Sequence, residues 1–220
     1  MKIATWNVER LRHKKLLDEM LHSIDEVNAD ILVLTETDQR LHPKYQFCFE
    51  TPKMAICQPG IYAPTESRVA IYTNYPCVRQ HSTYDGNTAL CVELETEKGK
   101  LIVYGTIIGV YGNRHQTFLP DLMKQMDDLR VLSKLGTAIC FCGDFNCSFA
   151  DNYYFTTAGR SAIWDGLKDY DLSLLTNGQP ECIDHIALTK CFVGNGDVQI
   201  EEWNQTKTLS DHKGIAVSFG

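Results

Sequence analysis

Several short polar clusters in this chain fall where apolar runs stop. Asn7 and Glu9 close the run Lys2 to Val8, and Glu36 follows Ile31 to Leu34. Asp144 and Asn146 follow the run that ends in Cys142-Gly143, Asp184 interrupts the apolar Ile183 and Ile186, and Asp211-His212 stands just before the last apolar run. Strand ends are where a sheet gathers residues distant in sequence onto one rim. Carboxylates with an amide and a histidine suit a hard cation and a phosphate, because Mg²⁺ takes oxygen ligands and keeps part of its water shell, needing only one or two carboxylates. Each cluster also has an ordinary reading as an Asx turn, a cap or a strand terminator. The other histidines take that reading: His13 and His22 on a solvated helix face, His42 and His81 in loops, His185 as a packed or surface strand residue.

The elements that must position these residues begin with a strand, a helix and a strand: Lys2–Val8, a stripe of Leu16, Leu17, Met20, Leu21, Ile24 and Val27, then Ile31–Leu34. Short strands follow at Arg68–Thr73, Thr88–Glu95 and Leu101–Gly109, separated by turn-forming segments such as Asp85-Gly86-Asn87. A second amphipathic helix begins near Pro120 and feeds a strand at Thr137–Cys142. Asn152 to Asp171 reads as irregular, and strands at Cys182–Leu188, Val198–Trp203 and Gly214–Phe219 close the chain. Many strands with few helices predict an α/β sandwich, and the 220 residues, 44% hydrophobic, predict one domain over residues 1–220.

Taken together the clusters resemble the endonuclease/exonuclease/phosphatase superfamily. The elements that carry the resemblance run in family order: Thr5-Trp6-Asn7-Val8-Glu9, Leu34-Thr35-Glu36, Val69-Ala70-Ile71-Tyr72-Thr73 with Pro76, Gly143-Asp144-Phe145-Asn146, Ile183-Asp184-His185-Ile186 and Ser210-Asp211-His212. The resemblance implies a four-layer α/β sandwich of two mostly antiparallel sheets with helices outside. It implies Glu36 as main ligand of Mg²⁺ or Mn²⁺, with Asn7 and Asp211 completing the site or its water shell. Asp144 would orient or deprotonate the attacking water, Asn146 hold a phosphate oxygen, and His212 contact the scissile phosphate with Asp184 on its ring N–H. Glu9 matches an acidic position of some members and would act through a water.

Two departures stand out. Relatives often end the strand matching Leu101–Gly109 in a His or Tyr aimed at the phosphate, where this chain reads Tyr104-Gly105-Thr106-Ile107-Ile108; Tyr111, Asn113, Arg114 and His115 in the following loop are the candidate replacements, Arg114 the best of them because a guanidinium matches phosphate. Cys182 stands where relatives often place an arginine. The net charge of −7 provides no general attraction for polyanions, so a nucleic-acid substrate needs a local basic patch or bound cations. A nucleic acid is the leading substrate expectation, ahead of a lipid or small-molecule phosphate; a binding module that has lost catalysis is the alternative of another class. Nine cysteines without a CxxC pair and no apolar run long enough for a membrane span predict reduced core thiols, a cytoplasmic location and a monomer.

Overall fold

The computed structural model describes residues 1–220. Twelve strands form in chain order: β1 (Lys2–Asn7), β2 (Ile31–Asp38), β3 (Phe47–Glu50), β4 (Glu66–Thr73), β5 (Cys77–His81), β6 (Ala89–Thr96), β7 (Gly99–Ile107), β8 (Ala138–Asp144), β9 (Leu172–Leu174), β10 (Asp184–Thr189), β11 (Val198–Trp203) and β12 (Gly214–Phe219). They build two mixed six-stranded sheets, ordered β11-β12-β1-β2-β4-β3 and β5-β6-β7-β8-β10-β9. Each sheet has one parallel pair, β1 with β2 and β7 with β8; the remaining neighbours are antiparallel.

Alternation of side chains along each strand decides what the layers bury. Ile3, Ile31, Val33, Val69 and Ile71 of the first sheet face Val92, Leu94, Leu101, Val103, Cys140 and Cys142 of the second. The residues between them point outward: Ala4, Trp6, Leu32 and Leu34 pack under helix α1 (Leu17–Val27), which buries Met20, Ile24 and Val27. On the other side Ile102, Tyr104, Ile139 and Phe141 pack under α3 (Phe118–Leu132) and α4 (Thr157–Asp169). Two single-turn helices, α2 (Met54–Cys57) and α5 (Lys190–Val193), lie in connections. None of the helices is long and apolar enough to cross a membrane. All nine cysteines are free, and five are buried.

Several expectations change. The segment read as irregular contains α4, whose Thr156 caps it by accepting from the Gly159 amide at 3.1 Å. Its apolar face is thin, Ile163 and Leu167, and Gly159 and Gly166 lower its intrinsic propensity, so the pattern alone gave no helix. The first helix starts only at Leu17, after two short 3-10 turns, which leaves His13 ahead of it. His81 ends β5 and lies 3.2 Å from Glu93, rather than sitting in a free loop. The edge strands β3 and β5 are short and only partly buried, and β9 spans three residues, too few for an alternation to reveal it.

Two glycines let the sheets and strands approach. A Cβ on Gly105 would lie 2.9 Å from the side chains of Val33 and Val69, so the absence of one sets the sheet spacing above the site. Gly143 has φ 133°, and a Cβ there would lie 2.0 Å from the Thr106 carbonyl oxygen on the neighbouring strand. That close approach aims Asp144 at the rim. Gly143→Ala is expected to cost roughly 3 kcal/mol, a fall of about 6–12 °C in Tm for a chain of this size. Urea unfolding and a thermal melt check it; a variant as stable as the wild type would show that the strand tolerates the added atom.

Candidate active site

Asp144, at the end of β8, and Asp184, at the start of β10, are directly opposed partners in the antiparallel ladder. Both are buried, 3% and 1% exposed, and two like charges directly across a ladder repel. His212 resolves the conflict. Its Nδ1 lies 2.5 Å from Asp184 Oδ2, so the ring N–H donates to that carboxylate. Burial disfavours the imidazolium, but the adjacent Asp184 carboxylate, seconded by Asp144, outweighs it and holds the His212 pKa well above the usual histidine range. Burial likewise raises Asp144 above the usual carboxylate range, with His212 opposing and Asp184 adding to the shift.

Backbone anchoring fixes that ring. The His212 carbonyl accepts from Trp6 Nε1 at 3.1 Å and Asn204 Nδ2 at 2.7 Å, and its amide donates to Ser210 Oγ at 3.2 Å. Ser210 in turn donates to the carbonyl of Asn7 at 2.6 Å, tying the last loop to the end of β1. Asn204 also donates to the Ser210 carbonyl and accepts from the Leu209 amide. It is a clamp that the sequence did not reveal, since nothing in its neighbourhood separates it from an ordinary turn residue.

Asn7 bridges the sheets by donating from Nδ2 to Asp144 Oδ2 at 3.1 Å, while its Oδ1 accepts from the Glu9 amide at 2.9 Å. The chain then leaves β1 through three residues with left-handed φ, Glu9, Arg10 and Leu11. Glu9 engages protein groups: Arg12 Nη1 lies 3.0 Å from Oε1, and the Asp211 amide donates to Oε2 at 3.2 Å. Asn146 is held by its own amide donating to Asp144 Oδ1 at 2.8 Å. Its Nδ2 donates to the Ile108 carbonyl at 3.1 Å, with longer contacts to the Gly109 carbonyl and Asp144, so in this arrangement it secures the loop after β7 instead of presenting a free donor.

Glu36 also has a left-handed φ, 47°, inside β2, an uncommon conformation for a residue with a side chain. Its carboxylate accepts no hydrogen bond from the protein, and its cationic neighbour is Arg68, at 3.7 Å. Burial pushes the Glu36 pKa up, and Arg68 and then His212 oppose the shift. A half-buried carboxylate without a hydrogen-bond donor is costly unless a cation or water meets it.

Asn7, Glu9, Glu36, Asp144, Asn146, Asp211 and His212 thus line one cleft of about 190 Å³, with Arg12, Ile107 and Val110. Asp184 stands behind His212. Arg114 does not join them: it is exposed, outside the cleft lining, because Asn113 beside it turns inward and donates to the Asn146 carbonyl at 2.8 Å. The wall expected to carry a phosphate-binding side chain is apolar, Ile107 and Val110, and the cleft's guanidinium comes from Arg12. Cys182 donates weakly to the Asp184 carbonyl at 3.0 Å. His185 is fully buried between Thr176 and the Cys147 carbonyl, and burial holds its pKa down at about 4, so it stays neutral. No three Asp, Glu, His or Cys side chains converge tightly enough to cage an ion. The donor set suits instead a cation on one carboxylate and a water shell, the arrangement Mg²⁺ favours, with Glu36 as the open ligand and Asn7 Oδ1 and Asp211 nearby.

Two sheets with helices outside, carrying a carboxylate, amide and histidine cleft on the shared rim, define a phosphoesterase-type sandwich. The sequence profile of the Endonuclease/Exonuclease/phosphatase family matches residues 4–212, and the chain belongs to that family. Compared with curated proteins, the chain has no significant match. Among solved structures it is similar to a 3′-5′ exonuclease from Neisseria meningitidis (19% identity, 100% of this chain and 99% of the other, TM-score 0.71). It is also similar to a beta toxin variant from Staphylococcus aureus with bound magnesium ions (17%, 100% and 99%, 0.66) and to sphingomyelinase C from Streptomyces griseocarneus (15%, 100% and 99%, 0.66). At these identities the likeness establishes the fold.

The His212 charge gives a direct test. In cation-free protein the ring is expected to remain protonated well above pH 6.5, and Asp184→Asn should bring its titration down to the ordinary histidine range or below. A group whose folded pKa is raised contributes stability that is complete below its unfolded pKa and is lost as pH rises through the folded value. The stability margin of wild type over Asp184→Asn should therefore shrink above about pH 6.5. Titration of the ring by NMR checks the first point; an unchanged His212 titration in the variant would rule out the pairing.

Proposed function

We propose that this protein hydrolyses a phosphodiester with Mg²⁺ or Mn²⁺ bound at Glu36, and that the substrate is a nucleic acid. The observation that carries the reading is Asp144, buried and held by Asn7 and Asn146, facing a cleft that has on one side Glu36, which accepts no hydrogen bond from the protein, and a charged His212 on the other. The raised pKa of Asp144 brings its basicity toward that needed to accept a proton from water near neutral pH. Asn7 and the Asn146 amide fix its lone pairs so that water meets it in one orientation. His212, kept as imidazolium by Asp184, faces negative charge that accumulates on the phosphate oxygens as the bond to water forms. A cation held at Glu36 would supply further charge neutralisation at the phosphate. Asn7 Oδ1 and Asp211 would hold that cation's water shell, and Glu9 would act through Arg12 or a water.

Several features favour a nucleic acid. Arg12 lines the cleft, a guanidinium suited to phosphate. Tyr111, exposed on the loop that carries Val110 into the cleft, lies beside His115 with ring centroids 5.0 Å apart, an aromatic platform of the sort on which unpaired bases stack. The exonuclease from Neisseria shares the fold. The second reading, a lipid phosphodiester, has its support in the exposed Ile56 of α2 and Ile61, whose carbonyl accepts from Arg10, and in the sphingomyelinase likeness.

The test is hydrolysis of bis(p-nitrophenyl) phosphate and of a single-stranded oligonucleotide, with a sphingomyelin micelle as the competing substrate. Turnover is expected only with Mg²⁺ or Mn²⁺, and Asp144→Asn should lower kcat by about 10²–10⁴, the usual worth of a positioned general base. Undiminished turnover after chelation would overturn the cation assignment, and faster cleavage of the lipid would replace the nucleic-acid reading. Arg12→Ala is expected to raise KM for the oligonucleotide more than for the small diester; equal effects on both would place Arg12 outside the substrate path.

A further inference from the structure

Arg68 is a cation that none of the chemistry above uses. Strand pairing puts it across from Glu36: Thr35 pairs with Val69 and Thr37 with Ser67, so the position between them on β2 faces Arg68 on β4. Its side chain is 11% exposed, and Nη1 lies 3.7 Å from Glu36 Oε1. It is held from behind: Nη2 donates to the Tyr62 hydroxyl at 2.7 Å, and the guanidinium lies over the Tyr62 ring, 5.2 Å from its centroid. Arg10 shares the same ring at 4.4 Å and is itself tied to Glu66 at 2.8 Å. Arg68 Nε has no partner. The guanidinium is therefore short of acceptors, and Glu36 is the carboxylate within reach.

We infer that Arg68 is a resident counter-ion for Glu36 that competes with the divalent cation, so that the cation site is loaded by exchange of one ion pair for another. This rests on the reading of Glu36 as the cation's ligand. A half-buried carboxylate left without a donor or counter-ion is destabilising, and Arg68 supplies the charge that lets the cleft persist without an ion. The same positive charge lies within a few ångströms of where a divalent ion must sit, and at such separations in a partly buried site like charges repel appreciably. The register that places Arg68 opposite Glu36 thus trades affinity for the ion against integrity of the ion-free site. Once the ion holds Glu36, the guanidinium shares its counter-ion and keeps the Tyr62 hydroxyl as acceptor, which leaves a positive group beside the cleft. Arg68 acts through Glu36 and is a positioning residue.

The sign of one measurement separates this from a purely architectural role. Damage to the scaffold loosens ion binding or leaves it alone, whereas removal of a competitor tightens it. Calorimetric titration of the full chain with Mn²⁺ alone is expected to show Arg68→Gln binding on the order of tenfold more tightly than wild type, about 1.4 kcal/mol. Arg68→Lys, which keeps the charge, should stay close to wild type. Thermal melts should show Arg68→Gln destabilised without Mn²⁺ and recovered with it. Arg68→Met keeps the aliphatic stem and gives the same reading should the glutamine variant fail to fold. Equal or weaker Mn²⁺ binding by a folded, charge-removed variant would overturn the inference. Loss of binding in Glu36→Gln would at the same time leave the cation reading of the cleft intact. Failure of wild type to bind Mn²⁺ would instead defeat that reading.

Discussion

Two carboxylates that the ladder between β8 and β10 sets face to face, Asp144 and Asp184, need a positive charge to coexist in a buried rim, and His212 brings it from the far end of the chain. Much of the surrounding structure serves that meeting. The two residues belong to the second sheet, whereas Asn7, Glu36 and the loop before β12 belong to the first. The site therefore exists only while the sheets are stacked, and the hydrogen bonds of Asn7 to Asp144 and of His212 to Asp184 cross between them. Ser210 and Asn204 fix the loop that delivers His212, and Asn146 fixes the loop after β7.

Charge at the cleft is distributed to leave one ligand open. Asp184 is spent on His212, Glu9 on Arg12 and the Asp211 amide, and Asp144 on the two asparagines. Glu36, half-buried, accepts no hydrogen bond from the protein and has Arg68 as its ion-pair partner at 3.7 Å. Its left-handed backbone, three left-handed residues after β1 and Asn146 at φ 49° place five of the strained positions at this rim and its exit from β1, and such strain persists where surrounding contacts over-determine it.

Much of this was legible in the sequence because polar residues that interrupt apolar runs are expensive anywhere except at a strand end. Asn7, Glu36, Asp144, Asp184 and His212 stood out on that ground, and the paired sheets followed from the density of short strands. What could not be read depends on register or loop direction. Arg68 meets Glu36 through a cross-strand pairing fixed only once β2 and β4 align, and Arg12 enters the cleft because of the left-handed turn ahead of it. Arg114 was expected at the phosphate from its nearness in sequence, but the inward turn of Asn113 sends it outward. The α4 helix was missed for lack of a continuous apolar stripe, although its Thr156 cap was there to be seen.

The claim on which the account turns is that Glu36 is kept open for a divalent ion while Asp184 and His212 remain paired. Anomalous diffraction from crystals soaked in Mn²⁺ addresses both halves at once. One dominant anomalous peak is expected at about 2.1 Å from a Glu36 carboxylate oxygen, with the remaining coordination made largely by water. The His212 ring is expected still against Asp184. A dominant peak on Asp144 and Asp184, with His212 displaced, would contradict the claim.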